Sequence, residues 1–433
     1  MRFHARIWLL VCAVSVIAYP LLAGGKAESS TSAAPTQLQT ISVWSGQDDP
    51  GENAVKALFA KTHANAKLEW NVVPYSDYAT KAIAAAKTND LPDVLFLQPR
   101  MPATYGKLGF LKPVTKLVSA MGGKSTFSEQ DLHYNTVDGE IWGVPYYSYP
   151  HLLFYRADWF AAAGIKSAPT NWTEFREDAK KLTTANRVGY IAFLADPSVG
   201  HLLHQWMGSA GADTFGPKLT LTIDGPKTIE VLNYLYGLYK DGYMSRDVVS
   251  MTMDDARLAF LNGQGAMLTT STSFITTVEK SDILPNVKAV PIPENGGKGN
   301  YYAFRSLSIS KDARDEAGAE NFIKWLNEDQ TQTVFFENGR LGYIPANRNY
   351  INSGEFWKIP RIAKVRNLLE GGIAVNKTGG WFPGMEYQIN EYIGLFDTQN
   401  IYQNMLIKMI TDGISAQEAV AWAKNQMQQI MSR

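Results

Sequence analysis

Between Leu38 and Leu97 the apolar positions switch repeatedly between a strand-like and a helix-like pattern. Leu38 to Trp44 is a β-like run, and Asp48-Asp49-Pro50-Gly51 reads as a turn. Val55, Leu58 and Phe59 then recur at i, i+3 and i+4, one face of a helix. Leu68 to Tyr75 returns as a strand, Tyr78 to Lys87 reads as a helix, and Val94 to Leu97 is a third apolar run after Leu91-Pro92-Asp93. Strands alternating with helices at this spacing predict an α/β fold around a largely parallel sheet.

A second unit begins after Val144. Asn171 and Glu174 are spaced as a capping box before the stripe Trp172, Phe175, Ala179, Leu182. Gly189 to Ala195 and Ala266 to Thr270 read as buried strands, and Ala319, Phe322, Ile323 and Leu326 mark a later helix. The chain closes on Ser415 and Glu418, which cap a helix presenting Ala419, Trp422, Ala423, Met427 and Ile430. A chain of 433 residues exceeds what one compact core organises. No Pro/Gly-rich linker separates two independent domains, which suits lobes between which the chain crosses more than once.

The N-terminus has the pattern of an export signal. Arg2 and Arg6 precede the apolar segment Ile7 to Ala18, Tyr19-Pro20 ends it, and small residues follow up to Ala27. Residues 1–27 are therefore expected to be cleaved, and the polar stretch 28–37 to form a flexible linker. The competing reading, a membrane anchor, needs about 20 apolar residues, more than this segment offers. Cleavage would remove Arg2, Arg6 and Lys26 from 41 basic residues, so 38 would face 41 acidic ones, a net charge of −3. It would also remove Cys12, the one cysteine, and with it disulfides and thiol chemistry. A near-neutral chain without a Lys/Arg run argues against nucleic acid as a partner.

Catalytic signatures are missing. There is no His-Glu-x-x-His, no Gly-x-Ser-x-Gly, no Gly-x-x-x-x-Gly-Lys and no Gly-x-Gly-x-x-Gly after a strand. His201 and His204 could share a helix face and ligate a metal, but His-Leu-Leu-His-Gln-Trp-Met more simply reads as a partly buried helix. Asp254 and Asp255 could serve as paired carboxylates, yet acids before Ala-Arg-Leu-Ala-Phe-Leu favour a helix start. No cofactor or metal is expected. Aromatic residues are more informative: Trp44 ends the first strand, and Trp381 lies in Gly-Gly-Trp-Phe-Pro-Gly, outside any periodic stripe. Flat rings cover the C–H faces of sugars while polar neighbours bond the hydroxyls. Core packing is the expectation for Trp70, Trp172, Trp325 and Trp422.

Several ordered motifs resemble the extracellular solute-binding proteins of ATP-binding-cassette importers, in the carbohydrate-binding family that includes maltose-binding proteins. They are Asp138-Gly-Glu-Ile-Trp-Gly-Val-Pro145-Tyr, Leu153-Phe-Tyr155-Arg-Ala-Asp158 up to Gly164, Pro169-Thr-Asn-Trp172-Thr-Glu174, Phe260-Leu-Asn-Gly263-Gln-Gly-Ala266-Met267, Leu307 to Lys311 with Ala319 to Leu326, and Gly339 to Pro345. The resemblance covers essentially the whole mature chain. It implies a two-lobed periplasmic-binding-protein fold with a hinge and a central ligand cleft, lobe one holding 38–147 and 305–345, lobe two 148–304 and 346–433. It further implies a monomeric, non-enzymatic periplasmic receptor that captures a carbohydrate and delivers it to a membrane permease.

By position, the resemblance assigns ligand contacts to Trp44, Ser45, Gln47 and Asp48 after the first strand, and to Gln98 and Arg100 after the third. It adds Tyr147 at the first crossing, Asp196 after the strand in Phe-Leu-Ala-Asp, Ser273, Phe304 and Arg305 at the second crossing, and Trp381. Ser273 stands where maltose binders place an aromatic, which speaks against maltose itself. Arg100 and Arg305, if both face the cleft, would suit a carboxylate or phosphate on the ligand, although Arg donors also hold neutral sugars. Two other classes stay open: a same-fold receptor for a polyamine or quaternary amine, caged by aromatics such as Trp44 and Trp381, and a carbohydrate-active enzyme.

Overall fold

The computed structural model describes residues 39–195, 201–297, 299–378, 380–381, 383–384 and 391–432. The expected signal and linker, and Asp196, lie outside these residues, as does the His201 side chain. The strands in chain order are β1 (Gln39–Ser45), β2 (Ala66–Val72), β3 (Val94–Leu97), β4 (Leu111–Lys112), β5 (Thr136–Val137), β6 (Glu140–Ile141), β7 (Val144–Arg156), β8 (Val188–Ile191), β9 (Gly265–Ser271), β10 (Val287–Val290), β11 (Tyr302–Ser310) and β12 (Ile344–Pro345).

The large sheet runs β2-β1-β3-β11-β7-β9-β8, with β4, β10 and β12 attached at its sides. β1 alternates, burying Ile41 and Val43, whereas all four apolar residues of β3 are buried, as befits a strand covered on both faces. Pairing is parallel within β1–β2, β1–β3 and β8–β9, but antiparallel wherever β7 or β11 takes part. The sheet is therefore mixed rather than largely parallel. The cause is β7 and β11 themselves: they lie side by side and carry the chain in opposite directions between two sets of strands. β7 pairs with β11 from Val144 to Pro150, then with β9 from His151 to Tyr155 and with β10 from Leu153 to Arg156. The β7–β11 register shifts at Arg305/Ser306, where β7 holds the extra residue Tyr146, before β11 joins β3.

Local signals account for several helices. Trp172, Phe175, Ala179 and Leu182 are all buried in the helix Trp172–Leu182. Its capping is split: Asn171 accepts the Glu174 N–H at 2.9 Å, but the Glu174 carboxylate reaches back to the N–H of Thr170 rather than of Asn171. Ser415 and Glu418 form the full reciprocal box, with Ala419, Ala423, Met427 and Ile430 buried behind it. Asp255 likewise closes a box with Thr252, so it starts a helix. Asp48 to Gly51 is not a free-standing turn. Asp49 caps Pro50–Thr62 and Pro50 occupies its first turn, where a fixed φ and a missing N–H cost nothing. The strand expected at Gly189 to Ala195 stops at Ile191. Leu194 and Ala195 instead donate their N–H groups to the carbonyls of Val248 and Met251. Among the described residues no helix is long and apolar enough to cross a membrane.

Candidate functional site

Side chains on a strand alternate faces, so Tyr147, Tyr149 and His151 of β7 share one face where the strand passes between the two sets. The Tyr147 ring stacks on Tyr343, centroids 4.4 Å apart and planes 19° apart. The Arg305 guanidinium, buried in the neighbouring strand, lies 5.0 Å over the Tyr149 ring and donates to the Phe304 carbonyl at 2.9 Å. Gln47, in the loop after β1, donates its Nε2 to the Tyr343 hydroxyl at 2.7 Å. Four stretches far apart in sequence thus build one amphipathic wall of stacked aromatics edged by amide and guanidinium donors, with Tyr147, Arg305 and Tyr343 buried and Tyr149 half-buried.

The end of that loop and the first turn of the helix Pro50–Thr62 bury two carboxylates beside this wall. Asp49 caps its helix by accepting from the Gly51 N–H at 2.8 Å and lies 3.5 Å from Arg340 Nε. Burial raises its pKa, while the Gly51 amide, Arg340 and the Tyr343 hydroxyl pull it back. Glu52 is buried and pushed up to about 8, first by desolvation and then by Asp49, against the Ser45 hydroxyl, Lys56 and Arg305. A group with that pKa holds its proton at neutral pH and can donate a hydrogen bond.

A second cluster adjoins the first. Tyr301 packs between His151, edge-on at 4.8 Å, and His204, stacked at 5.7 Å. Gln205 Nε2 and His151 Nδ1 are 2.9 Å apart, and the His204 ring meets Tyr402 at 4.4 Å. Burial and Asp397 raise the pKa of the Tyr301 phenol, while Arg100 and Arg305 both oppose them. Arg100 adopts φ +75° at the start of the helix Met101–Lys107, an uncommon conformation for a residue other than Gly, Asn or Asp. That turn brings its charge within reach of the same phenol as Arg305.

The expected contacts therefore divide. Gln47, Tyr147 and Arg305 meet around Tyr149 and Tyr343, and Arg100 bears on the adjoining Tyr301. Trp44 is half-buried, edge-on to Tyr78 at 6.3 Å. Ser45 is buried and its hydroxyl accepts from Trp70 Nε1 at 3.0 Å. Asp48 is exposed and holds Asn53, and the Gln98 carbonyl accepts the Met101 N–H. The Ser273 hydroxyl is 3.1 Å from both Arg257 Nη2 and Ser271 Oγ. Phe304 is buried on the opposite face, stacked on Tyr134. Trp381 forms a bridge to Tyr301 and packs so close to Gly208 and Gly299 that a Cβ on either would overlap it. Its remaining surface borders a groove of about 490 Å³ with Asp213, Phe215 and Lys227. Tyr149, Tyr301, Tyr343 and Glu52 were not expected. The i, i+2, i+4 spacing of Tyr147, Tyr149 and His151 was a signal for the first of them. Among the described residues no group of three His, Cys, Asp or Glu is placed to hold a metal.

The model of one family, the bacterial extracellular solute-binding proteins, matches residues 54–364. This chain belongs to that family. Its fold is the two-lobed one of the sugar-binding protein MalE from Xanthomonas citri, with a TM-score of 0.78 at 18% identity over 91% of this chain and 98% of that one. The maltose-bound MalE3 of Thermotoga maritima aligns with a TM-score of 0.71 at 21% identity, over 90% and 99% of the two chains. A sequence relative of this solute-binding protein is the sn-glycerol-3-phosphate-binding periplasmic protein UgpB of Agrobacterium fabrum, 23% identical over 73% of this chain and 76% of its own. The resemblance carried by the motifs thus holds for family and fold, and the family is one of extracellular receptors.

Proposed function

We propose that this solute-binding protein is the periplasmic receptor of an ATP-binding-cassette importer for a sugar or polyol, and that it is not an enzyme. The observation that carries this reading is the wall at the strand crossing: stacked Tyr147 and Tyr343, and Tyr149 under Arg305, edged by Gln47. Aromatic faces with donors at their rims suit a ligand whose C–H faces are apolar and whose edge carries hydroxyls. The wall sits where β7 and β11 pass between the two sets of strands, so a solute held there touches both lobes only when they close. Ligand binding then shifts the population toward a closed state that a membrane permease reads. The lobe division proposed from the resemblance, 38–147 with 305–345 against the remainder, puts the wall at the boundary. A monomer suffices for this task.

One observation favours a more specific ligand. The Arg305 guanidinium over Tyr149 is a fixed cation in the wall, which suits a carboxylate or phosphate better than a polyamine or quaternary amine. The glycerol-phosphate name of a relative agrees with that reading. A thermal-shift screen of the mature chain against neutral sugars, polyols, their uronates and phosphates, and amines tests both. Ligand at about 100 times its dissociation constant stabilises the fold by about 2.7 kcal/mol. A hit recovered chemically unchanged supports the receptor, and preference for the anionic partner of a pair supports the second reading. Conversion of the hit into product, or response to amines alone, overturns the proposal.

A further inference from the structure

The other face of the crossing carries a second cavity. Ser148 and Pro150 point there, opposite Tyr147 and Tyr149. Asn376 Nδ2 donates to the Ser148 hydroxyl at 3.2 Å and to the Pro345 carbonyl at 3.3 Å. Asn376 belongs to the helix Arg366–Thr378, which is seated on the strands of one set: Asn367 Nδ2 donates to the Val287 carbonyl, Gly371 lies against Ala289 and Gly372 against Pro150. The facing wall is the helix Arg348–Asn352, which is tied to the residues after the short helix Thr115–Ala120. Arg348 donates its N–H to the Thr126 carbonyl at 2.9 Å and Nη2 to the carbonyls of Lys124 and Phe127, and Asn349 Nδ2 donates to Thr126 Oγ1 at 3.0 Å.

Between these walls is a cavity of about 310 Å³ lined by Ser125, Arg348, Ile351, Ile373, Asn376 and Lys377. Two polar atoms of its lining residues, Arg348 Nε and Asn376 Oδ1, are buried without a hydrogen-bond partner among the described residues. The Asn376 orientation follows from its bond to the Pro345 carbonyl, which only the amide nitrogen can donate. An unmet donor and an unmet acceptor in one cavity each forfeit free energy that a suitable occupant restores. The donor lies on a cation, and the exposed Lys377 adds a second positive charge at the rim. Ile351 and Ile373, both mostly buried, supply an apolar floor.

We propose that this cavity is a second binding site, on the opposite face of the crossing from the sugar wall, for a small anion that also carries a hydroxyl group. The carboxylate or phosphate faces Arg348 Nε and Lys377, the hydroxyl donates to Asn376 Oδ1, and the short carbon chain lies over Ile351 and Ile373. One wall is fixed to β7 and β10 and the other to residues 124–127, so an occupant ties these segments together. By linkage, whatever this anion does to the affinity of the main ligand, that ligand does to the anion. The assignment does not depend on which solute the main site takes.

The test is a titration of the isotope-labelled mature chain with D-glycerate, with glycerol phosphate and with neutral glycerol, read by methyl and side-chain amide chemical shifts. Expected are saturable shifts of the Ile351 and Ile373 methyls and of the Asn376 amide, with a dissociation constant below about 10 mM for at least one anion. The tighter of the two anions distinguishes carboxylate from phosphate. Lys377→Glu, at an exposed position where folding is not at stake, should weaken the anion at least about fivefold by charge reversal. Arg348→Gln should weaken it further, while Arg305→Gln in the main site should leave it unchanged. The proposal fails if no saturable shift appears, if glycerol matches the anions, if Lys377→Glu binds as the parent does, or if Arg305→Gln abolishes the effect.

Discussion

Arg305 on β11 and Tyr149 on β7 meet face to face across the register, the guanidinium 5.0 Å above the ring. Both lie on the strands that pass between the two sets, where the proposed closure would act. Arg305→Lys keeps the charge but loses the planar fork that stacks on an aromatic face. A partly desolvated cation–π contact is worth about 1–2 kcal/mol, so the main ligand should bind about 5- to 30-fold more weakly. Calorimetric titration beside a melting curve decides the role. Unchanged affinity with a lowered melting temperature would leave Arg305 a structural residue only.

Glu52 should make stability depend on pH in an unusual direction. Its folded pKa of about 8 stands above the ordinary glutamate value of 4.5, so between these values the folded chain holds a proton that the unfolded chain releases. Stability from this group is complete at low pH and is lost as pH rises through about 8, by at most about 1.4 kcal/mol per pH unit. Glu52→Gln mimics the protonated form. It should flatten the slope of denaturant-derived stability between pH 5 and 8 relative to the parent. Parallel slopes for the two proteins would show that Glu52 ionises normally in the fold.

The Gln47 amide and the Tyr343 hydroxyl are joined at 2.7 Å across 296 positions of sequence. Tyr343→Phe retains the stack on Tyr147 but leaves Gln47 without this acceptor. The loss of one hydrogen bond costs about 0.5–1.5 kcal/mol. If the bond holds the loop after β1 in place, that cost should appear in ligand affinity, a fall of about 2- to 12-fold, as well as in stability. A stability loss with full affinity would separate the loop from the site.

What the sequence displayed depended on how local the cause was. The stripe Trp172, Phe175, Ala179, Leu182 and the Ser415–Glu418 box lie within a few turns of one helix, and both appear as read. Asp48 to Gly51 offered the same residues to a turn and to a helix N-terminus. Only the packing of Val55 and Phe59 under the sheet decides for the helix. The parallel sheet was inferred from strand–helix alternation near the N-terminus, where it holds for β1 to β3. The antiparallel pairing of β7 with β11 joins segments more than 150 residues apart, which alternation cannot reveal. In the site, period-two spacing marks Tyr147 and Tyr149 as companions, whereas Phe304 beside Arg305 must face the other way. Tyr343 could not be found in this manner, because its place is set by Tyr147 and Gln47, both remote in sequence.

Gly342 should prove the most sensitive backbone position near the crossing. Its φ is +96°, and a Cβ there would stand 1.9 Å from the Thr272 carbonyl oxygen. That approach is held in place: Thr272 Oγ1 donates to the Gly342 carbonyl at 2.7 Å, and Thr276 Oγ1 to the Leu341 carbonyl at 3.0 Å. The two bonds fasten the segment after β9 to the segment that carries Tyr343, so they also position the ring that stacks on Tyr147. Gly342→Ala adds left-handed strain to a clash with backbone, which cannot swing aside as a side chain does. The expected loss is on the order of 2–4 kcal/mol in denaturant unfolding. Because the displaced residue is one before Tyr343, ligand affinity should fall with it even at temperatures where the variant is fully folded. A variant with parental stability would show that residues 341–343 shift freely and that the Tyr147–Tyr343 stack is held from elsewhere.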